Sequence, residues 1–210
     1  ELEHMRDEFD LHPLAIEDAT HGHERPKIEE YGDSVFAVIH LLELQADEIA
    51  VGEVDIFVGR NFIVSVRNRS QQQLLRVRER CEREPDELQQ GSGFVLYAVI
   101  DDVVDRYFPI VDAIETQIED IEEHIFDEGA ARANIARLYE LKRHLTVVKH
   151  AVAPLLEAVG KLTSGRVPPV CAHSREYFRD ICDHLARINA QLETLRDTVG
   201  TAIQVSLSSV

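Results

Sequence analysis

The feature that most constrains the fold is a heptad repeat of apolar residues near the C-terminus, over residues 177–210. Two interleaved rows occupy the a and d positions: Ile181, Ile188, Leu195, Ala202 and Ser209 in one row, and Phe178, Leu185, Leu192, Val199 and Ser206 in the other. The repeat predicts one unbroken helix about 50 Å long, at roughly 1.5 Å per residue. Both rows change from large residues to Ala and Ser toward the C-terminus, and small residues let neighbouring helices pack tightly or line a narrow passage.

Two more heptad patterns predict an antiparallel hairpin before this helix. The first begins at Phe94, a turn is expected near Gly129, and the second pattern ends near Gly165. The buried rows are expected to be Ile100, Tyr107, Ile114, Ile121, Val104, Val111, Ile118 and Ile125 in the first helix, and Leu138, Leu145, Val152, Val159, Leu141, Val148, Leu155 and Leu162 in the second. Pro109 and Pro154 should kink these helices locally. With the final helix, the hairpin gives an up-down-up bundle.

The two hairpin helices differ in the sign of their charge. Residues 101–128 contain eleven acids and one base, whereas residues 130–166 contain seven bases and two acids. Antiparallel packing would let the basic helix offset part of the acidic one. A solvated polar face explains most of these charges equally well.

The N-terminal third has the pattern of a sheet with a few helices. Residues 34–44 and 53–66 are rich in Val, Ile and Phe, and Gly59-Arg60-Asn61 divides the second stretch, which predicts three strands. Apolar residues on both strand faces indicate a sheet covered by helices on both sides. Helices are expected at residues 1–10 and from Pro13 onward.

These patterns predict an α+β fold: a partial, mostly antiparallel α/β/α sandwich followed by a helical hairpin and a long stalk helix. The predicted boundaries are 1–90 for the α/β domain and 91–210 for the bundle, with the hairpin at 91–166 and the stalk at 173–210. Three strands make a thin sheet, and further N-terminal strands are therefore expected outside this sequence.

Composition narrows the classes of function. The net charge of −17 argues against nucleic-acid binding, which needs a basic face, and suits cations much better. The three cysteines form no C-x-x-C pair, which favours a reducing cytosol over a disulfide framework. The longest apolar run, residues 94–100, is far shorter than the roughly 20 residues of a membrane span. The chain as given is expected to be soluble.

Catalytic motifs are missing from the sequence, and no enzyme activity is expected. It contains no G-x-S-x-G, P-loop, Gly-rich dinucleotide turn or H-E-x-x-H. A zinc site at His21 and His23, near His12, lacks a second ligand pair at a matching spacing, and ordinary turn histidines are the better interpretation.

Carboxylates are stronger candidates for metal ligands. Asp101 and Asp105 share one helix face at i,i+4, and Asp180 and Asp183 lie at the start of the final helix. The helix dipole alone would also favour acids at that second position. Mg²⁺ needs only one or two carboxylates because it keeps several waters.

Several dispersed motifs, in order along nearly the whole chain, resemble the CorA family of magnesium transporters. They are His-Pro-Leu-Ala-Ile-Glu-Asp at 12–18, His-Glu-Arg-Pro-Lys-Ile-Glu-Glu-Tyr at 23–31, Leu-Tyr-Ala-Val-Ile-Asp at 96–101, Val-Asp-Arg-Tyr at 104–107, Leu-Lys-Arg at 141–143, Tyr-Phe-Arg-Asp at 177–180, Asp-His at 183–184 and Leu-Ser-Ser-Val at 207–210. The family's Gly-Met-Asn motif and membrane spans are not in this sequence, which is therefore expected to be unable to conduct ions by itself.

The resemblance implies a cytoplasmic domain at the inner membrane, shaped as a funnel whose stalk helix leads into the pore of a homopentamer. It implies regulatory binding of Mg²⁺, or of Co²⁺ and other divalent cations, between protomers to hold the pore closed. By motif position, Asp18 of one protomer and Asp180 of the next would form the main site. Glu17 and Asp101 would contribute to an adjacent second site, with His184 as a weaker candidate.

Three alternatives remain at this stage. The related zinc-transporting branch of the superfamily shares the fold. A soluble coiled-coil scaffold would use the hairpin and stalk to bind partner helices. A hydrolase with paired carboxylates would need a cleft with a perturbed acid pair.

Overall fold

The structure is a computed structural model that describes residues 2–46, 48–127, 131–164 and 167–208. It contains eight α-helices and four strands within these ranges. The helices are α1 (Leu2–Phe9), α2 (Pro13–His21), α3 (Leu75–Arg83), α4 (Pro85–Leu88), α5 (Ser92–Asp105), α6 (Tyr107–Glu123), α7 (Ala131–Thr163) and α8 (Arg175–Ser208), with a 3₁₀ turn at Pro169–Ser174. The strands are β1 (Lys27–Tyr31), β2 (Ser34–Gln45), β3 (Glu48–Val58) and β4 (Ile63–Asn68).

The sheet has four antiparallel strands in the order β1-β2-β3-β4. The sequence predicted three, and the strand it missed is β1. This strand is short and carries Lys27, Glu29 and Glu30, so its pattern is that of an edge rather than of a buried strand. The break at Gly59-Arg60-Asn61 falls between β3 and β4 as expected.

Helices cover both faces of the sheet, which confirms the predicted fold class. Val35, Ala37 and Ile39 belong to the large core shared with the long helices. Phe36 and Val38 face the other way and pack with residues of α2 such as Ala15. Alternation from Val35 to Ile39 therefore divides these side chains between two helical layers.

The heptad rows of the long helices are buried as predicted over the described residues. The final helix starts at Arg175, between the predicted stalk boundary at 173 and the start of the heptad pattern at 177, and its described part ends at Ser208. The expected turn at Gly129, the helix end at Gly165 and the seam position Ser209 lie outside the described residues.

The first hairpin helix is divided in a way that the sequence did not predict. α5 ends at Asp105 and α6 begins at Tyr107, with the break at Arg106. Pro109 is the third residue of α6, where its missing N–H would have had no helical acceptor. The expected kink is therefore a break between two helices, placed three residues before Pro109.

Tyr107 ties this break to the sheet. Its side chain is fully buried, and its hydroxyl donates a hydrogen bond to the carbonyl of His40 at 2.6 Å. None of the helices in the described ranges has the length and hydropathy of a membrane span.

Candidate metal centre

Three of the predicted ligand residues meet at the junction of α5 and α8. Within the described part of the chain, one group of three or more His, Cys, Asp or Glu residues has ligand atoms within 4.8 Å of one another, and it consists of Asp101, Asp180 and His184. Asp180 and His184 are i,i+4 neighbours on α8, with 4.0 Å between Asp180 Oδ2 and His184 Nε2. We call these three residues the α5–α8 cluster.

The cluster is buried on the α5 side and open on the other. Asp101 is 8 % exposed, whereas the side chains of His184 and Asp180 are 30 % and 60 % exposed. The Nδ1 atom of His184 is buried and has no hydrogen-bond partner among the described residues. The ring of His184 meets Phe108 edge-on, with 5.9 Å between the centroids. The site therefore combines a fixed carboxylate with two side chains that can reach a ligand or a second chain.

Arg80 of α3 already neutralises part of this site. Its Nη1 donates to Asp101 Oδ2 at 2.6 Å, and its Nη2 donates to the hydroxyl of Tyr97 at 3.0 Å. Burial acts to lower the pKa of Arg80, but the hydrogen bonds with Asp101 and Tyr97 raise it above its ordinary value. A cation at Asp101 would have to share this carboxylate with the guanidinium. Arg80 was not identified from the sequence, because its contact with Asp101 depends on how α3 packs against α5.

Asp105 adds a fourth acid beside the cluster. Desolvation and then the charge of Asp101 raise its pKa, while His184 lowers it. This electrostatic coupling agrees with the i,i+4 placement of the two aspartates on one face of α5.

Asp18 and Glu17 lie elsewhere, on α2, and are not part of the cluster. Asp18 Oδ2 is 2.7 Å from the ammonium of Lys27, which also approaches Glu24 at 3.5 Å and Glu29 at 3.4 Å. Burial acts to lower the pKa of Lys27, but the hydrogen bond with Asp18 and the surrounding carboxylates raise it. Glu17 is exposed. Three of the five predicted metal residues therefore lie together within one chain, and the other two, Glu17 and Asp18, lie away from them on α2.

The histidines near α2 have structural contacts. His12 caps α2 by accepting a hydrogen bond from the Leu14 N–H at 3.3 Å. His21 Nδ1 donates to the carbonyl of Glu17 at 2.8 Å, and Arg69 donates to His23 Nδ1 at 3.2 Å. These contacts agree with the interpretation of ordinary turn histidines.

A buried acid pair on β3 was missed by the sequence analysis. Glu53 is 5 % exposed and Asp55 is fully buried. Asn68 donates to Asp55 Oδ2 at 2.8 Å, and the Glu24 N–H donates to Glu53 Oε2 at 3.0 Å. The other oxygen of each acid has no partner among the described residues. Burial, followed by the charge of Glu53, raises the pKa of Asp55 to about 7.

This pair does not support the hydrolase alternative. Glu53 lines a cavity of about 340 Å³, but the fully buried Asp55 is not among the lining residues. A catalytic acid or base must come within hydrogen-bond reach of its substrate. The pair could not have been found from sequence, since Glu53 and Asp55 alternate with apolar residues as in any half-exposed strand.

Comparison with known proteins gives consistent similarities. The sequence model of the family described as CorA-like Mg²⁺ transporter protein matches residues 1–209. Among curated proteins, the chain is 33 % identical over 193 residues to a putative metal ion transporter, YfjQ, of Bacillus subtilis, covering 92 % of this chain and 60 % of that protein. It is 30 % identical over 205 residues to the cobalt/magnesium transport protein CorA of Thermotoga maritima, covering 96 % of this chain and 58 % of that protein. The chain thus spans about three fifths of the length of these relatives.

Solved structures show the same fold at lower sequence identity. The soluble domain of CorA from Methanocaldococcus jannaschii has a TM-score of 0.79 at 17 % identity, over 99 % of this chain and 83 % of that one. The cytoplasmic domain of ZntB from Vibrio parahaemolyticus has a TM-score of 0.77 at 12 % identity, over 100 % of this chain and 84 % of that one. At such identities the likeness establishes the shared fold alone.

Proposed function

This chain belongs to the family of CorA-like Mg²⁺ transporter proteins, and we propose that it is the cation-sensing region of a divalent-cation transport channel, at the cytoplasmic face of a membrane. The observation that carries the proposal is the α5–α8 cluster, where two carboxylates and an imidazole converge. Carboxylate oxygens suit Mg²⁺, and imidazole extends the range to borderline ions such as Co²⁺. Membership of a transporter family leaves the coiled-coil scaffold hypothesis without separate support.

We assign the regulatory ligands to contacts between copies of the chain. Asp180 is the most exposed member of the cluster, and Asp18 and Glu17 are held apart from it on α2. This division suits a site in which Asp18 of one protomer meets Asp180 of the next, in a homopentamer. Asp101 and Glu17 complete an adjacent second site, with His184 at its edge.

Charge supplies the mechanism. Each copy has a net charge of −17, so carboxylates that face one another across a protomer boundary repel. A bound divalent cation supplies the positive charge that offsets this repulsion. Without it, the facing carboxylates of Asp18 and Asp180 favour separation of the protomers.

The signal reaches the pore through α8. Asp180 and His184 lie near the start of this helix, whose opposite face is buried against the other long helices. Separation of the protomers therefore shifts α8 as a unit, and the stalk opens the passage at its far end. This is a two-state equilibrium in which the ligand favours the closed state by its higher affinity for it.

The proposal is tested by limited proteolysis with and without Mg²⁺. We expect Mg²⁺ to slow digestion of the chain, and Asp18→Ala and Asp180→Ala each to abolish the effect. Asp197→Ala is the matched control, because Asp197 is also an exposed acid on α8 but lies outside the cluster. Protection that persists in both Asp18→Ala and Asp180→Ala refutes the ligand assignment.

The zinc-transporting branch remains the second candidate. His184 favours it, because imidazole suits Zn²⁺ better than it suits Mg²⁺. Calorimetric titration with Mg²⁺ and Zn²⁺ in parallel separates the two: tighter Zn²⁺ binding that is lost in His184→Ala would favour the zinc branch.

A further inference from the structure

A groove lies between the sheet region, at residues 23–25 and 40, and the helices α7 and α8. It contains none of the residues of the α5–α8 cluster. Its volume is about 830 Å³, within the range of roughly 300–1,000 Å³ that is usual for small-molecule sites. Segments near residues 23–25 and 40 form one wall, and α7 and α8 form the other. We call it the α7–α8 groove.

The groove is basic although the chain is strongly acidic. Its lining contains one acid, Glu24, and four bases: Arg25, Lys142, Lys149 and Arg196. The net charge of the whole chain is −17. A concave surface lined by one sign of charge concentrates ions of the opposite sign, and this one would attract anions.

Two of the four bases form no ion pair among the described residues. Lys149 forms an ion pair with Glu193, and Arg196 lies 3.7 Å from the same carboxylate. Arg25 and Lys142 are exposed and form no ion pair with any residue that the structure describes. Two basic residues of α7, Lys142 and Lys149, line this groove. Among the described residues, α7 forms one ion pair with the acidic α6, between Arg137 and Asp120 at 3.0 Å.

The floor of the groove is apolar. Ala153 is partly exposed there, and the buried side chains of Leu145, Leu192 and Pro154 lie beneath it. Pro154 has no N–H and therefore cannot donate to the carbonyl of His150, the residue one helical turn before it. The lining thus offers an apolar surface beside the cationic groups.

We propose that the α7–α8 groove binds a nucleoside polyphosphate. The phosphates are held by Arg25 and Lys142, and the base packs on the apolar floor at Ala153. Basic groups alone would suit any anion, and the apolar floor is what favours a ligand with a flat organic body. Because α8 carries both the groove residue Arg196 and the cluster residue His184, the ligand touches the same helix as the proposed cation site.

Isothermal titration of the 210-residue chain with ATP, in EDTA and at low salt, tests this. EDTA keeps divalent cations out, so the result is independent of the proposed Mg²⁺ sites. We expect Lys142→Ala and Arg25→Ala each to weaken ATP binding about tenfold, the value of one lost charge-assisted hydrogen bond. Lys161→Ala is the control, because Lys161 is an exposed lysine on the same helix but outside the groove, and it should bind ATP as the parent does.

Other outcomes overturn the proposal. No binding at millimolar ATP, or equal weakening by Lys161→Ala, removes the groove as a specific site. Inorganic triphosphate binding as tightly as ATP reduces it to an anion site without a role for the floor. Sedimentation in the absence of ATP gives the last outcome: if Lys142→Ala dissociates an oligomer that Lys161→Ala leaves intact, the groove is a contact between copies of the chain.

Discussion

Asp55 shows how position on a strand changes the chemistry of one carboxyl group. It is fully buried on β3 beside Glu53, and its pKa of about 7 lies well above the ordinary value of 3.8. A hydrogen bond between the Asp55 and Glu53 side chains also raises the pKa of Asp55. An acid whose pKa is raised in the folded state destabilises the fold as pH rises from about 4 to about 7, because the unfolded chain releases its proton first. Above pH 7 the penalty is constant.

Asp55→Asn should therefore make the chain more stable at pH 8 and flatten its pH dependence between 4 and 7. The amide keeps the shape of the side chain and carries no charge. Raising the pKa from 3.8 to about 7 corresponds to at most about 4 kcal/mol, and part of this is lost if Asn68 bonds less well to an amide. Urea unfolding at pH 4, 6 and 8 measures the effect. Asp197→Asn, at an exposed acid, is the control, and equal pH profiles for the two variants would contradict the prediction.

The ligands of the candidate site were predictable only in part. Asp101, Asp180 and His184 were identified through motifs that resemble those of a family, and the structure brings them together. Arg80 was not predictable, because its contact with Asp101 depends on how α3 packs across α5. No local pattern in a sequence encodes a contact of this kind.

At the scale of elements, the helices were predicted better than the sheet. Heptad spacing places the same residues in the core whatever surrounds the helix, and so the buried rows of α7 and α8 were found correctly. β1 was missed because it is a polar edge strand. The break at Arg106 was missed because the kink was predicted at the proline, Pro109, and not three residues before it.

The contact between α5 and the 3₁₀ turn gives a prediction at this scale. A Cβ at Gly93 would lie 2.1 Å from the carbonyl oxygen of Val170 and 3.0 Å from the Cα of Cys171. Both are backbone atoms and can yield only if the turn moves away from the helix. Gly93→Ala should therefore lower the free energy of unfolding by about 1–3 kcal/mol, although alanine favours a helix by about 1 kcal/mol.

Gly160 on α7 is the matched control, because an added Cβ there has no neighbour within 4 Å. Gly160→Ala should leave the chain unchanged or stabilise it by up to about 1 kcal/mol. Both variants are compared by urea unfolding. If Gly93→Ala is as stable as Gly160→Ala, the helix and the turn are not in close contact.

At the scale of the whole molecule, one large core stabilises each copy, whereas the net charge opposes association between copies. The large core spans the sheet and the long helices, so residues on both sides of the predicted boundary near residue 90 contribute to it. The exposed surface carries most of the net charge of −17 and opposes association between copies. Screening by any salt weakens this repulsion, whereas a site made of facing carboxylates responds specifically to divalent cations.

Self-association should therefore have a salt-dependent part and a Mg²⁺-dependent part. We expect sedimentation velocity to show larger species in Mg²⁺ than in NaCl of equal ionic strength. Asp18→Asn should remove this difference, because it deletes one carboxylate of the proposed contact while keeping the side-chain shape, and it should leave the response to NaCl essentially in place. If Mg²⁺ and NaCl act alike at equal ionic strength on the parent chain, screening alone governs association and the proposed sites between protomers do not form in this chain.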